Sequence, residues 1–128
     1  MPRNAALRIV AVFLGASVAL AACSGDDEDE YVERPVVGLY NTALDELQAG
    51  EYETAAKSFS EVERQHPYSV WATKAQLMAA YAQYQGNSYD DAIISLDRFI
   101  QLHPSNADVA YAYYLKALSY YEQISDVG

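Results

Sequence analysis

Residues 50–67 read Gly-Glu-Tyr-Glu-Thr-Ala-Ala-Lys-Ser-Phe-Ser-Glu-Val-Glu-Arg-Gln-His-Pro, and the pattern returns 37 positions later at 87–104. Tyr52 is matched by Tyr89, Ala55 by Ala92, Phe59 by Leu96, Val62 by Phe99, and the pair His66 and Pro67 by His103 and Pro104. One such segment would be an ordinary amphipathic helix. Two in the same register are a helical repeat, whose units bury their apolar faces on one another. Such an array is a binding scaffold before it is an enzyme.

The same period runs through the segments in between. Tyr40, Leu77 and Tyr114 correspond, as do Ala43, Ala80 and Ala117, then Leu44, Tyr81 and Leu118, then Leu47, Tyr84 and Tyr121. Within each copy these positions fall at i, i+3, i+4 and i+7, one face of an α-helix. This is helix A of the unit, and the segment described first is helix B, with its stripe at Tyr52, Ala55, Phe59 and Val62. Gly50 and Asn87 are the residue types that best tolerate the left-handed conformation ending a helix. Ser88 with Asp91 predicts a capping box for the second helix B. Pro67 and Pro104 stop each helix B, and Ser69 and Asn106 are expected N-caps of the next helix A.

These residues resemble the tetratricopeptide repeat, in which helix B carries Ala, an aromatic four residues on, an apolar residue three later and Pro five later. Ala55, Phe59, Val62 and Pro67 fit that spacing, as do Ala92, Leu96, Phe99 and Pro104. The period is 37 instead of the usual 34, and the A–B junction is one residue tighter. The predicted fold is therefore all-α, a helix-hairpin solenoid of about two and a half repeats over residues 35–128. The third copy reaches Gly128 before any helix B. Its stripe of Tyr114, Ala117, Leu118 and Tyr121 is expected to lie exposed, so the reading is of a repeat domain that continues further or is covered by a partner.

Ahead of the repeats, Arg3 and Arg8 precede an apolar run over residues 9–22. Its fourteen residues are short of the roughly 20 that span a bilayer and suit a signal-peptide core. The run ends in Leu20, Ala21, Ala22 and Cys23, which resembles the lipobox of bacterial lipoproteins. That resemblance implies a signal peptide over 1–22, a lipidated Cys23 at the mature N-terminus, and, with Ser24 following, sorting to the outer membrane. A plain secretory signal with an incidental cysteine is the alternative. Cys23 is the only cysteine, so no internal disulfide is possible. Residues 25–30, Gly-Asp-Asp-Glu-Asp-Glu, lack both apolar periodicity and the ligand spacing of a calcium loop. Residues 23–34 read as a lipidated acidic tether.

The formal net charge of −10 disfavours nucleic acid and anionic membrane faces as partners. Removing residues 1–22 takes away Arg3 and Arg8 and no acid, which sharpens the imbalance. His66 and His103 are repeat-equivalent and each precedes a turn proline, so they are expected to be structural rather than metal ligands. No nucleophile–base arrangement, paired carboxylates or phosphate-binding glycine loop is present. No catalytic residue, metal or cofactor is predicted. A peptide groove is expected on the helices A, in the register set by Tyr40, Leu77 and Tyr114. Its positions are Asn41, Asp45 and Gln48, then Met78, Ala82 and Gln85, then Leu115, Ser119 and Glu122. Amides and carboxylates there would bond an extended backbone; the alternative is a solvated face. Trp71 is either packed on the preceding turn or an exposed contact.

The lipobox, the acidic tether, Leu39, Tyr40 and Asn41, then Gly50, Glu51 and Tyr52, the His-Pro-Tyr-Ser of 66–69 and the Tyr-rich stretch 107–128 are together similar to one family. It is that of the outer-membrane assembly lipoproteins called BamD or ComL. The resemblance implies a non-enzymatic subunit of the β-barrel assembly machinery, held by lipid on the inner leaflet of the outer membrane and facing the periplasm. Its expected partners are the barrel protein BamA, the other subunits, and unfolded outer-membrane proteins received by the N-terminal repeats. Two other readings stand beside it: a periplasmic repeat protein that coordinates envelope constriction, and the repeat part of an envelope enzyme with a catalytic domain beyond residue 128.

Overall fold

The computed structural model describes residues 35–125. The expected signal peptide, Cys23 and the expected tether lie outside them. Five helices follow in order: α1 (Val36–Gln48), α2 (Tyr52–Gln65), α3 (Val70–Gln85), α4 (Tyr89–Leu102) and α5 (Val109–Ser125). Among the described residues there is no strand. α1 and α2 are helices A and B of the first unit, α3 and α4 those of the second, and α5 is the third helix A. The helices belong to one compact unit, Glu33–Gly128.

The punctuation repeats as closely as the stripes do. Gly50 has φ +79° and Asn87 φ +61°, the left-handed conformation expected of both. In the first unit the Glu51 N–H donates to the Glu46 carbonyl (2.9 Å) and the Gly50 N–H to that of Leu47 (3.1 Å). In the second unit Ser88 N–H donates to Gln83 (2.8 Å) and Asn87 N–H to Tyr84 (3.0 Å). Each pair of bonds satisfies carbonyls that a helix end leaves orphaned, in the arrangement of a Schellman motif.

This motif also overturns the capping box at Ser88. A capping box needs the N-cap N–H for the carboxylate three residues on. The Ser88 N–H is already held by Gln83, and the Ser88 hydroxyl makes no capping bond. Ser69 does cap α3, its hydroxyl accepting from the Ala72 N–H at 3.1 Å. Asn106 acts one step earlier than expected: its side chain accepts from the Asp108 N–H at 2.8 Å and holds the turn that leads into α5 at Val109.

The core consists of two layers that meet at α3. One joins Leu39, Tyr40 and Ala43 of α1 with Ala55, Phe59 and Val62 of α2 and Ala75, Ala79 and Ala82 of α3. The other joins Leu77 and Ala80 of α3 with Leu96 and Phe99 of α4 and Ala112 and Leu115 of α5. A helix flanked by packed neighbours on both sides needs apolar residues around most of its circumference, and α3 has them. Its alanines let the backbones approach, and Phe59, Phe99 and Leu96 fill the space between. Trp71 is settled by this packing: its ring lies against Tyr40 of α1, centroids 4.9 Å apart, with the Lys74 ammonium 5.3 Å from the indole centroid.

Consecutive helices pack on one another, and α3 also touches both α1 and α5, so the helices A form a layer of their own. The helices B stand further apart. α2 and α4 are joined by long side chains, with both terminal guanidinium nitrogens of Arg98 on the Glu63 carboxylate.

Candidate peptide-binding face

The nine expected groove positions do not share one environment. Asn41, Asp45 and Gln48 are exposed on α1, whereas Ala82, Leu115 and Ser119 are fully buried or nearly so. Met78 is partly buried against the first core layer. The reason is geometric. In α3 the faces holding Ala75, Ala79 and Ala82 turn toward α2, and in α5 the equivalent faces with Ala112, Leu115 and Ser119 turn toward α4. These positions look at the preceding repeat, so only α1, with no described helix before it, shows them to solvent. Ala82, Leu115 and Ser119 are core residues, and Ala82 borders only the depression on the α2 side. Ser119 is accommodated there because its hydroxyl donates to the Leu115 carbonyl at 2.9 Å.

Gln85 and Glu122, the last positions in each set, escape burial and border the surface that α3 and α5 do share. Tyr81 and Tyr84 sit on α3, Tyr111 and Tyr114 on α5, each pair three residues apart and so on one helix face. Tyr89 joins them from the start of α4, its ring 5.7 Å from that of Tyr84, and Tyr111 lies 6.4 Å from Tyr114. The Glu122 carboxylate lies near enough to Tyr84 for its charge to be felt. The Gln85 amide donates to the Tyr81 hydroxyl at 2.8 Å, and the Tyr89 hydroxyl donates to the Asn87 side chain at 2.9 Å. Tyr111 and Tyr114 remain 41% and 59% exposed, so this is an accessible aromatic seam and not a closed core.

Two of these phenols are harder to ionise than free tyrosine. Burial is the main cause for Tyr84, reinforced by the charge of Glu122 and by the neighbouring phenols of Tyr89 and Tyr114. Burial again leads for Tyr111, followed by Tyr81, Tyr114 and Tyr84. The phenols of α3, α4 and α5 therefore lie near enough to influence one another. The sequence carried a signal for it, two Tyr pairs at i, i+3 in successive helices A, but the groove register passed over Tyr81, Tyr84 and Tyr111.

The rest of the α5 surface behaves as its unpartnered stripe predicts. Tyr114 and Tyr121 are exposed, Tyr113, Tyr120 and Ile124 with them. A separate depression of about 520 Å³ lies between α2 and the α3–α4 junction, lined by Tyr52, Lys57, Ser60, Arg64, Gln83 and Gly86 among others. Its rim charges are satisfied locally, Lys57 by Glu53 at 2.7 Å and Arg64 by Glu61. His103 Nε2 is 2.9 Å from the Gln76 amide oxygen and its ring packs on Phe99. Among the described residues no group of three or more His, Cys, Asp or Glu could hold a metal. No helix among them is long and apolar enough to cross a membrane.

Paired helices at a 37-residue period, stacked unit on unit, define a helical-repeat protein. The family model for YfiO, described as outer membrane lipoprotein, matches residues 33–128, and the chain belongs to that family. It is 50% identical over 126 residues to a Caulobacter vibrioides protein named outer membrane protein assembly factor BamD, covering 96% of this chain and 41% of that one. A Rickettsia prowazekii protein of the same name is 38% identical, over 94% of this chain and 48% of its own length. A Neisseria meningitidis serogroup B protein, also named BamD, is 35% identical over 86% and 42%. The chain thus spans less than half the length of these curated relatives.

Proposed function

We propose that this protein is a lipid-anchored, non-enzymatic scaffold of the outer-membrane β-barrel assembly machinery, and that its helix A face receives unfolded outer-membrane proteins. The observation that carries the reading is the 50% identity across nearly the whole chain to a relative named as an outer-membrane protein assembly factor. The tyrosine seam supports it independently. Tyrosine offers a large apolar contact at low entropic cost with a polar tip, which suits extended chains of varied sequence. In this reading Cys23 carries the acyl chains, residues 23–34 hold the repeats off the head groups, and the repeats face the periplasm from the inner leaflet. A BamA-like barrel protein and the other subunits are its partners.

Depletion tests the function: the outer-membrane content of β-barrel proteins falls when the protein is removed, and unchanged barrel levels would refute it. Substitution Cys23→Ser tests the anchor separately. The variant leaves the membrane fraction and accumulates in soluble form, whereas retention in the membrane would rule out attachment through Cys23.

A further inference from the structure

We propose that the repeats rest on the phospholipid surface by one edge, the row of turns that joins each helix B to the next helix A. Tyr68 and Val70 enter the head-group region there, and the acidic opposite edge points away. The inference rests on the reading that Cys23 is acylated, and adds which way the anchored domain faces.

Contacts between helices define the two edges. At the first, Trp71 in the opening turn of α3 lies 4.9 Å from Tyr40 near the start of α1, and His103 at the end of α4 is 2.9 Å from Gln76 of α3. At the second, a Cβ added to Gly86 at the end of α3 would stand 3.0 Å from that of Tyr52 at the start of α2. Gln123 of α5 reaches Asp90 at the start of α4 on the same side. The chain that follows Cys23 enters α1 through Pro35, on the first of these edges.

That edge carries apolar side chains that the fold does not use. Tyr68, in the turn between α2 and α3, is fully exposed, and Val70, the first residue of α3, is 75% exposed. The repeat does not require them, since the positions 37 further on are Ser105 and Ala107. Val37 and Leu102 stand exposed at the same edge. A tyrosine there can place its ring among head groups and keep its hydroxyl in water.

Charge is divided the same way. The net charge of −10 disfavours an anionic surface, yet among the described residues the excess acid lies at the far edge. Asp45, Glu46, Glu51 and Glu53 surround the first A-to-B turn and Asp90 and Asp91 follow the second, with Lys57 the only lysine or arginine in that half of the described residues. In the half nearer the B-to-A turns, Arg64, Lys74, Arg98 and Lys116 are matched by four acidic residues, three of which pair with them. An anionic head-group layer therefore repels one edge and meets the other without net charge.

The test uses the acylated protein in vesicles of phosphatidylethanolamine and phosphatidylglycerol. Cys23 is the only cysteine, so its acylation leaves an introduced cysteine as the single thiol. Ser105→Cys places an environment-sensitive fluorophore on the lipid-facing edge and Ser88→Cys on the acidic one, both at exposed positions. Doxyl-labelled phospholipid is expected to quench the first label severalfold more than the second. Combining Tyr68→Ser with Val70→Ser removes most of that difference, and circular dichroism is expected to show this variant folded, since both side chains are exposed. An undiminished difference in the double variant would overturn the part given to Tyr68 and Val70. Vesicle flotation reads the anchor separately. Protein that floats with both labels quenched alike, or neither, would overturn the docked edge and leave the anchor standing. Protein that fails to float would overturn the anchor, and the docked edge with it. A blue shift at the Ser105 position that persists in detergent and grows with protein concentration would assign the edge to a second copy of the chain instead of the membrane.

Discussion

Arg98 in α4 holds Glu63 in α2 through both terminal guanidinium nitrogens, across 35 residues of chain and between two helices whose backbones do not pack. The Gln76 side chain of α3 and the His103 ring lie close enough to favour the charged form of the same carboxylate. The arrangement ties the first helix B to the second unit and holds the Glu63 carboxyl below the ordinary glutamate range, the Arg98 bond being the main cause.

Because the folded state favours ionised Glu63, the pair contributes its stability above the ordinary glutamate range and loses it as pH falls through the lowered folded value. Arg98 is more than half exposed, so the contribution is modest, on the order of 1 kcal/mol. Glu63→Gln is expected to lower the melting temperature at pH 7 by a few degrees and to match the parent near pH 3. Thermal melts between pH 3 and 7 check this; an equal deficit at both ends would show that the pair is not the cause.

Phe59 and Leu96 occupy equivalent positions and are both fully buried. Phe59→Leu therefore places at the first site a side chain that the second accepts, at an expected cost of about 1 kcal/mol. Phe59→Ala leaves a cavity and costs about 3–5 kcal/mol, much of the stability of so small a repeat array. Denaturant titration separates the two.

Gly50 and Gly86 are expected to resist substitution for different reasons. A Cβ at Gly50 meets nothing within 4 Å, but φ is +79°, so Gly50→Ala costs about 1 kcal/mol through backbone strain alone. Gly86 has an ordinary φ of −82°, and a Cβ there would stand 3.0 Å from the Tyr52 Cβ. Asn87→Gly, by contrast, is expected to be neutral or slightly stabilising, since φ is +61°. Melting temperatures of Gly50→Ala, Gly86→Ala and Asn87→Gly test the distinction.

Glu46 and Gln83, again 37 apart, each bury a side-chain oxygen without a hydrogen-bond partner. An unsatisfied buried acceptor costs about 1–3 kcal/mol relative to a paired one. Gln83→Met keeps the length and removes the acceptor, so stability is expected to hold or rise by up to about 1 kcal/mol. A clear loss in chemical denaturation would show that the Gln83 amide contributes through its other atoms.

The sequence alone determined the number and type of helices, their ends and the shared 37-residue register. These depend on short-range chemistry: apolar spacing at i, i+3, i+4 and i+7, Gly50 and Asn87 in left-handed turns, and Ser69 as a cap. Only the tertiary structure decided which side of each helix A meets which neighbour. Ala82, Leu115 and Ser119 read as surface positions in the register set by Tyr40, Leu77 and Tyr114; α1 does show that face to solvent, yet in α3 and α5 a preceding helix B covers it. The capping box at Ser88 failed similarly, since the helix ahead had already engaged the N–H it needed. The tyrosine seam exists because α3 and α5 lie side by side, which no single repeat specifies. A repeat encodes its own fold locally, but burial and surface arise from the stacking of one unit on the next.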